Sequence, residues 1–153
     1  MEEIAGTNTS NETVEMATFY VGEALCGMDI LKIQEINKHV KMTRVPQAPD
    51  YVMGILNLRG QIVTIIDLGK KLGLSSTSLS HESRNIIVNS KGEYVGFLID
   101  RISDVVQARR DKLEAPPANI GGLQGKFLKG VFKTEDCLVG ILDIEEVLGE
   151  EQN

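Results

Sequence analysis

Apolar residues in this chain come in short runs cut by glycine, and that rhythm restricts the fold more than any other feature. The runs are Ala17–Val21, Leu25–Ile30, Gln61–Ile66, Asn85–Val88, Tyr94–Ile99, Val131–Phe132 and Leu138–Leu142. Most are rich in Val, Ile, Phe and Leu, side chains that pack well on a pleated surface. Gly22-Glu23 and Asn89-Ser90-Lys91-Gly92 stand between them as turn signals. No amphipathic stretch of helical period runs longer than about three turns. The pattern predicts an all-β chain with short helices.

The pattern also repeats. Gly54-Ile55-Leu56-Asn57-Leu58-Arg59-Gly60-Gln61-Ile62-Val63-Thr64-Ile65-Ile66-Asp67-Leu68 aligns without gaps to the segment from Gly130 to Ile144, 76 positions later. Both copies read as strand, turn, strand and then an Asp that caps a short helix, with Leu72-Gly73 and Leu148-Gly149 beyond. A second correspondence, offset by 69, sets Gly27 and Lys32-Ile33-Gln34-Glu35-Ile36 against Gly96 and Arg101-Ile102-Ser103-Asp104-Val105. Two small β units side by side follow, sharing an apolar seam because neither is large enough to be very stable alone. Strands can cross between them. The polar stretch Ser75 to Ser83 reads as a surface connection between the halves.

Composition bounds the class. At 153 residues, 42% hydrophobic and 25% charged, the chain suits one soluble domain or two very small ones. It buries roughly 68–70% of its unfolded surface, so it needs no disulfide or metal staple. Its net charge of −6, with no block of Lys and Arg, excludes the phosphate-neutralising footprint of a nucleic-acid binder. Apolar runs such as Ile62 to Ile66 are too short to span a bilayer, so no membrane insertion is expected. The acidic start, Met1-Glu2-Glu3, is no signal peptide, and a cytoplasmic protein is expected. Residues 1–13 are too polar to repay their ordering and are expected to form a flexible tail; 14–149 form the folded part and 150–153 a C-terminal tail. Cys26 and Cys137 lie far apart among apolar neighbours and are expected to be two buried thiols.

No catalytic constellation emerges. Gly121-Gly122-Leu123-Gln124-Gly125-Lys126-Phe127 lacks the first glycine and the final hydroxyl of a phosphate loop. His39 and His81 have no second ligand at zinc spacing and read as surface residues. No Ser sits in a nucleophile elbow. Asp67 and Asp143 each follow a strand and precede a short helix, so they read as helix caps, each contributing about 1 kcal/mol. No enzyme, no metal and no cofactor is expected. Glu35 and Arg59 are left over, the latter beside a glycine in a tight turn where its fork of donors points outward for a partner.

These leftovers lie inside a recognisable pattern. Gly27-Met28-Asp29-Ile30-Leu31-Lys32-Ile33-Gln34-Glu35-Ile36, Thr43-Arg44-Val45-Pro46 and Asn57-Leu58-Arg59-Gly60-Gln61-Ile62-Val63-Thr64-Ile65-Ile66-Asp67-Leu68 strongly resemble the CheW coupling-protein family. Gly96-Phe97-Leu98-Ile99-Asp100-Arg101-Ile102-Ser103-Asp104-Val105-Val106 matches the family's second signature, and the likeness covers about residues 15–149. Thr64 departs from it, since relatives usually carry Pro there; Thr restores a backbone donor, so no loss of fold is expected.

The resemblance implies two SH3-like five-stranded β-barrels side by side and a non-catalytic adaptor of bacterial chemotaxis. Such an adaptor joins the cytoplasmic tip of methyl-accepting chemoreceptors to the regulatory domain of the histidine kinase CheA, within membrane-associated receptor arrays. Carried over by position, the receptor-side surface would hold Ile33, Glu35, Gly54 and Arg59, with Leu58 lining an apolar groove that takes a helix. Kinase contact would fall near the loop of Glu114, Ala115, Pro116 and Pro117. Without partners a monomer is expected. Two other readings stay open at this point: a CheW-like adaptor for another kinase pathway, and a β-barrel regulator that binds a small molecule in a closed pocket.

Overall fold

The computed structural model describes residues 12–38 and 41–149. Twelve strands and two short helices follow one another: β1 (Thr13–Val21), β2 (Ala24–Asp29), β3 (Ile33–Lys38), β4 (Val52–Leu58), β5 (Gln61–Asp67), α1 (Leu68–Lys71), β6 (Arg84–Ser90), β7 (Glu93–Ile99), β8 (Arg101–Arg109), β9 (Asn119–Ile120), β10 (Leu123–Gln124), β11 (Leu128–Lys133), β12 (Leu138–Leu142) and α2 (Ile144–Leu148). They build two five-stranded sheets. Sheet I has the order β11-β12-β2-β1-β8, sheet II the order β3-β6-β7-β5-β4, and β9 and β10 form a separate ribbon. The mainly β expectation holds, with two packed sheets.

The repeat is real in three dimensions. Thr18 lies opposite Gly27 in sheet I as Ile87 lies opposite Gly96 in sheet II, a shift of 69 on both strands. Ile141 runs parallel beside Gly27 as Ile65 runs beside Gly96, and Gly54 faces Ile65 as Gly130 faces Ile141. Outside the strands, Thr43 bridges Ile55 as Glu114 bridges Val131. The repeating units do not coincide with the sheets, however. The β1–β2 hairpin joins β8, β11 and β12, whereas β3, β4 and β5 join the β6–β7 hairpin. Each sheet therefore takes two strands from one repeat and three from the other.

Residues 75–83 join the two repeats, linking β5 to β6 within sheet II. They are not all surface as expected, because Thr77 and Ser83 are buried. The Thr77 N–H and hydroxyl both donate to the Asp67 carboxylate, the hydroxyl at 2.7 Å, and the Ser83 hydroxyl donates to the Ser78 carbonyl. Small polar side chains here satisfy buried backbone groups instead of meeting solvent.

Three apolar clusters hold the sheets. Phe19, Met28, Leu72, Ile86, Phe97 and Leu123 belong to the cluster shared by both sheets. Met16, Phe132, Val139 and Ile141 fill the other side of sheet I, and Val63, Ile65, Ile87 and Leu98 that of sheet II. Alternate residues of one strand serve both clusters, as Ile86 and Ile87 do on β6, which is why these strands read as unbroken apolar runs. Each such side chain contributes about 1.5–3 kcal/mol by leaving water. Thr64 takes part in ladders with Ile55 and Val95 on its two sides, where a backbone donor is useful.

Two further expectations change. Cys26 is buried as expected, and burial pushes its thiol up to about 12. Cys137 is exposed, because it sits in the β11–β12 turn, where its N–H donates to the Thr134 hydroxyl. Strand β1 begins at Thr13, one residue before the expected start of the fold. Tail residues 1–11 and 150–153, together with His39, lie outside the described residues, and His81 is exposed.

Candidate functional site

The β4–β5 turn is the local feature from which the site is built. Leu58 pairs with Gln61, leaving a two-residue loop in which Arg59 and Gly60 both have positive φ, +53° and +86°. Such a loop matches the twist of a hairpin, and Gly60 takes its conformation freely. The Asn57 side chain accepts the Gly60 N–H at 2.9 Å and pins the turn. Arg59 is thereby presented at the hairpin tip, with 71% of its side chain exposed.

Its guanidinium pairs with the Glu35 carboxylate on β3. Strands β3 and β4 are the opposite edges of sheet II, so this contact requires the sheet to curl until its edges meet. The Thr43–Ile55 bridge, made by the chain leaving β3, draws the same edges together with bonds of 2.8 and 2.7 Å. Gly54 permits that approach: a Cβ there would lie 2.5 Å from the Thr43 carbonyl oxygen. Gly54 is thus a buried backbone position beside the site.

Glu35 is held from two sides. One carboxylate oxygen meets Arg59, and the other accepts the Asn37 side-chain N–H at 2.8 Å. The Asn37 hydrogen bond, then the Arg59 hydrogen bond and charge, hold the Glu35 carboxyl below its usual 4.5. A pair this exposed contributes little stability, within about 1 kcal/mol. Its value lies in a fixed, directional charge pattern.

Between Glu35 and the hairpin opens a cavity of about 250 Å³. Leu58, Val63, Ile87 and Tyr94 line its apolar part, and Gln34, Glu35, Arg59 and Gln61 its larger polar part. Of the five receptor-side residues expected from sequence, Glu35, Leu58 and Arg59 come together here. Ile33 is half-buried and packs against the cluster between the sheets, and Gly54 lies beneath Thr43. Sequence reasoning missed Asn37, Ile87 and Tyr94. Asn37 was findable, since residues two apart on a strand share a face. Ile87 and Tyr94 come from the second repeat and carry no local mark.

The Glu114 to Pro117 loop belongs to sheet I instead. Glu114 exchanges two backbone bonds with Val131, at 2.8 and 2.9 Å, and the Gly125 N–H donates to the Ala118 carbonyl at 2.8 Å. Glu114 and Pro117 are exposed and Pro116 is half-buried. Asp67 and Asp143 both cap, accepting N–H groups from Lys70 and Glu146. A separate cavity of about 160 Å³ in sheet I is lined by Met16, Met28, Lys32, Arg110, Ile141 and Asp143. Among the described residues no cluster of His, Cys, Asp and Glu is arranged to hold a metal ion, and no helix is long and apolar enough to cross a membrane.

Comparison with known proteins gives the family of the chain. The model of the CheW-like domain matches residues 15–152. The chemotaxis protein CheW of Helicobacter pylori is 32% identical over 139 residues, covering 91% of this chain and 84% of its own. That of Klebsiella aerogenes is 33% identical over 145 residues, covering 94% and 87%. The crystal structure of the scaffolding protein TtCheW from Thermoanaerobacter tengcongensis superposes with a TM-score of 0.83 at 29% identity, over 98% of this chain and 95% of that one. With its two signatures, its duplicated sheets and nearly its whole length accounted for, the chain belongs to the CheW-like domain family.

Proposed function

We propose that this chain is a non-catalytic chemotaxis adaptor that couples the cytoplasmic tips of chemoreceptors to the regulatory domain of the kinase CheA. The family and the names of its relatives support the pathway. One structural observation carries the receptor side: the Arg59–Glu35 pair stands at a cavity of mixed lining, where Leu58 and Tyr94 offer apolar surface beside charged and amide groups, the arrangement that suits an amphipathic helix with polar groups flanking its apolar face. Ile33 and Gly54 act from below, supporting β3 and the closure at Thr43. Kinase contact is assigned to the loop of exposed Glu114 and Pro117 and half-buried Pro116 on sheet I, so the two partners meet different sheets and bind together. The protein acts in the cytoplasm at receptor arrays and is a monomer without partners.

Calorimetric titration against the CheA regulatory domain and against a receptor-tip fragment tests this reading. Wild type binds both, and Arg59→Asp, which sets a like charge beside Glu35, keeps the kinase domain but loses the receptor fragment at least tenfold, the cost of reversing a rim charge next to an acid. Wild type that binds neither partner overturns the assignment. Equal loss of both partners by a folded Arg59→Asp overturns the division between the sheets.

A further inference from the structure

Asn85 stands wholly buried on β6, and neither its amide nitrogen nor its amide oxygen has a hydrogen-bond partner. Leaving both ends of an amide unpaired in a core is costly, so the position calls for an explanation. The residue directly opposite on β3 is Asn37. Antiparallel partners share a face with their Cβ atoms about 4.5–5.5 Å apart, within reach of an amide–amide hydrogen bond after one side-chain rotation. Asn37 instead turns along its own strand and donates to Glu35.

The duplicated fold supplies an internal control. Applying the shift of 69 that relates the two sheets, Asn85 corresponds to Met16 and Asn37 to Val106, and Met16 and Val106 are themselves paired across β1 and β8. Met16 is buried and Val106 packs against the same cluster. The fold therefore accepts an apolar pair at this place. Glu35 corresponds to Asp104 and, by the shift of 76, Arg59 corresponds to Glu135, two acids that form no ion pair. The amide pair occurs in the sheet that carries the Arg59–Glu35 pair and is absent from the one that does not.

We infer that Asn37 and Asn85 are positioning residues for Glu35: Asn37 holds the carboxylate in the free protein and turns to Asn85 when a partner's cation takes Glu35. Release of Asn37 then satisfies the buried amide, so binding gains one hydrogen bond inside sheet II that never touches the partner. This inference rests on the receptor-side reading proposed above.

Two arms test it. Asn85→Met, the residue of the equivalent position, raises the unfolding midpoint by removing the unpaired amide, yet weakens the receptor-tip fragment about three- to tenfold, the weight of one hydrogen bond. Asn37→Val, at a half-exposed site, weakens it likewise, and the double variant is no weaker than either single one. A purely structural role moves the midpoint and leaves affinity alone, and that result overturns the inference. The second arm needs no partner: in Glu35→Ala, Asn37 is released, and the side-chain amide resonances of Asn85 shift downfield relative to wild type, whereas they stay in place when Asn37→Val is added. Unchanged Asn85 resonances in Glu35→Ala overturn the inference even if the receptor fragment binds. Failure of wild type to bind the fragment refutes the receptor assignment and leaves the resonance arm to decide the relay.

Discussion

Single side chains here divide into those whose chemistry is silenced by the fold and those it exposes. Cys26 is buried, with its thiol pushed up to about 12, and Cys137 is exposed. A disulfide reagent at neutral pH should therefore titrate one thiol in the native protein and two after unfolding; two fast thiols in the native state would contradict the burial of Cys26. Glu35 shows the opposite case. Its carboxyl is held below 4.5, chiefly by Asn37 and then by Arg59. A depressed acid stabilises the folded state when ionised, so its contribution is complete above the unfolded pKa and vanishes as pH falls through the lower folded one. The stability difference between wild type and Glu35→Gln should be flat at neutral pH, within about 1 kcal/mol, and close only under acid conditions. A difference that closes between pH 6 and 8 would refute this. Sequence made Glu35 and Arg59 conspicuous, because each is a charge that no structural role absorbed. It left the link between them invisible, since 23 residues of chain separate them and only the curl of sheet II joins its edges.

Elements reveal where local signals suffice and where they mislead. The hairpins and the two Asp-capped helices were legible, because turn glycines and caps act within a few residues. Strands β3 and β8 were less so: both are edge strands, and their outward Gln34, Asp104 and Gln107 dilute the apolar signal. The segment after α1 was misread because Ser and Thr look solvated, when in fact Thr77 satisfies the buried Asp67 carboxylate and Ser83 the backbone of its own loop. That difference separates two caps that sequence treats as equal. Asp143 accepts the Glu146 N–H at 3.2 Å and is half-buried, so Asp143→Ala should cost about 1 kcal/mol. Asp67 is buried and also accepts the N–H and hydroxyl of Thr77, so Asp67→Ala strands two further donors and should cost roughly 3 kcal/mol. Chemical denaturation of the two variants measures the gap, and equal costs would show that the Thr77 contacts carry no weight.

At the scale of the whole molecule, duplication and exchange have different visibility. Duplication leaves a sequence trace, the offsets of 76 and 69, because equivalent strands need equivalent side chains. Exchange leaves none, because the parallel ladders β5–β7 and β12–β2 that stitch one repeat to the other join residues far apart in the chain. Its energetic consequence is large. Cutting between His81 and Glu82, both exposed, would separate β1–β5 from β6–β12, and neither piece would contain a complete sheet. The first piece would keep β1 and β2 without β8, β11 and β12, and its β3, β4 and β5 would lack the β6–β7 hairpin that lies between them in sheet II. The shared apolar cluster, which draws on Phe19 and Met28 from one piece and Ile86 and Phe97 from the other, would be open in both. Residues 1–81 and 82–153, made separately, should each lack a cooperative unfolding transition, whereas an equimolar mixture should regain the sheet signal and a single transition. Either piece folding alone as a monomer would show that a sheet can close without the exchanged strands, and the exchange would then be a matter of connectivity and not the source of cooperativity between the two sheets.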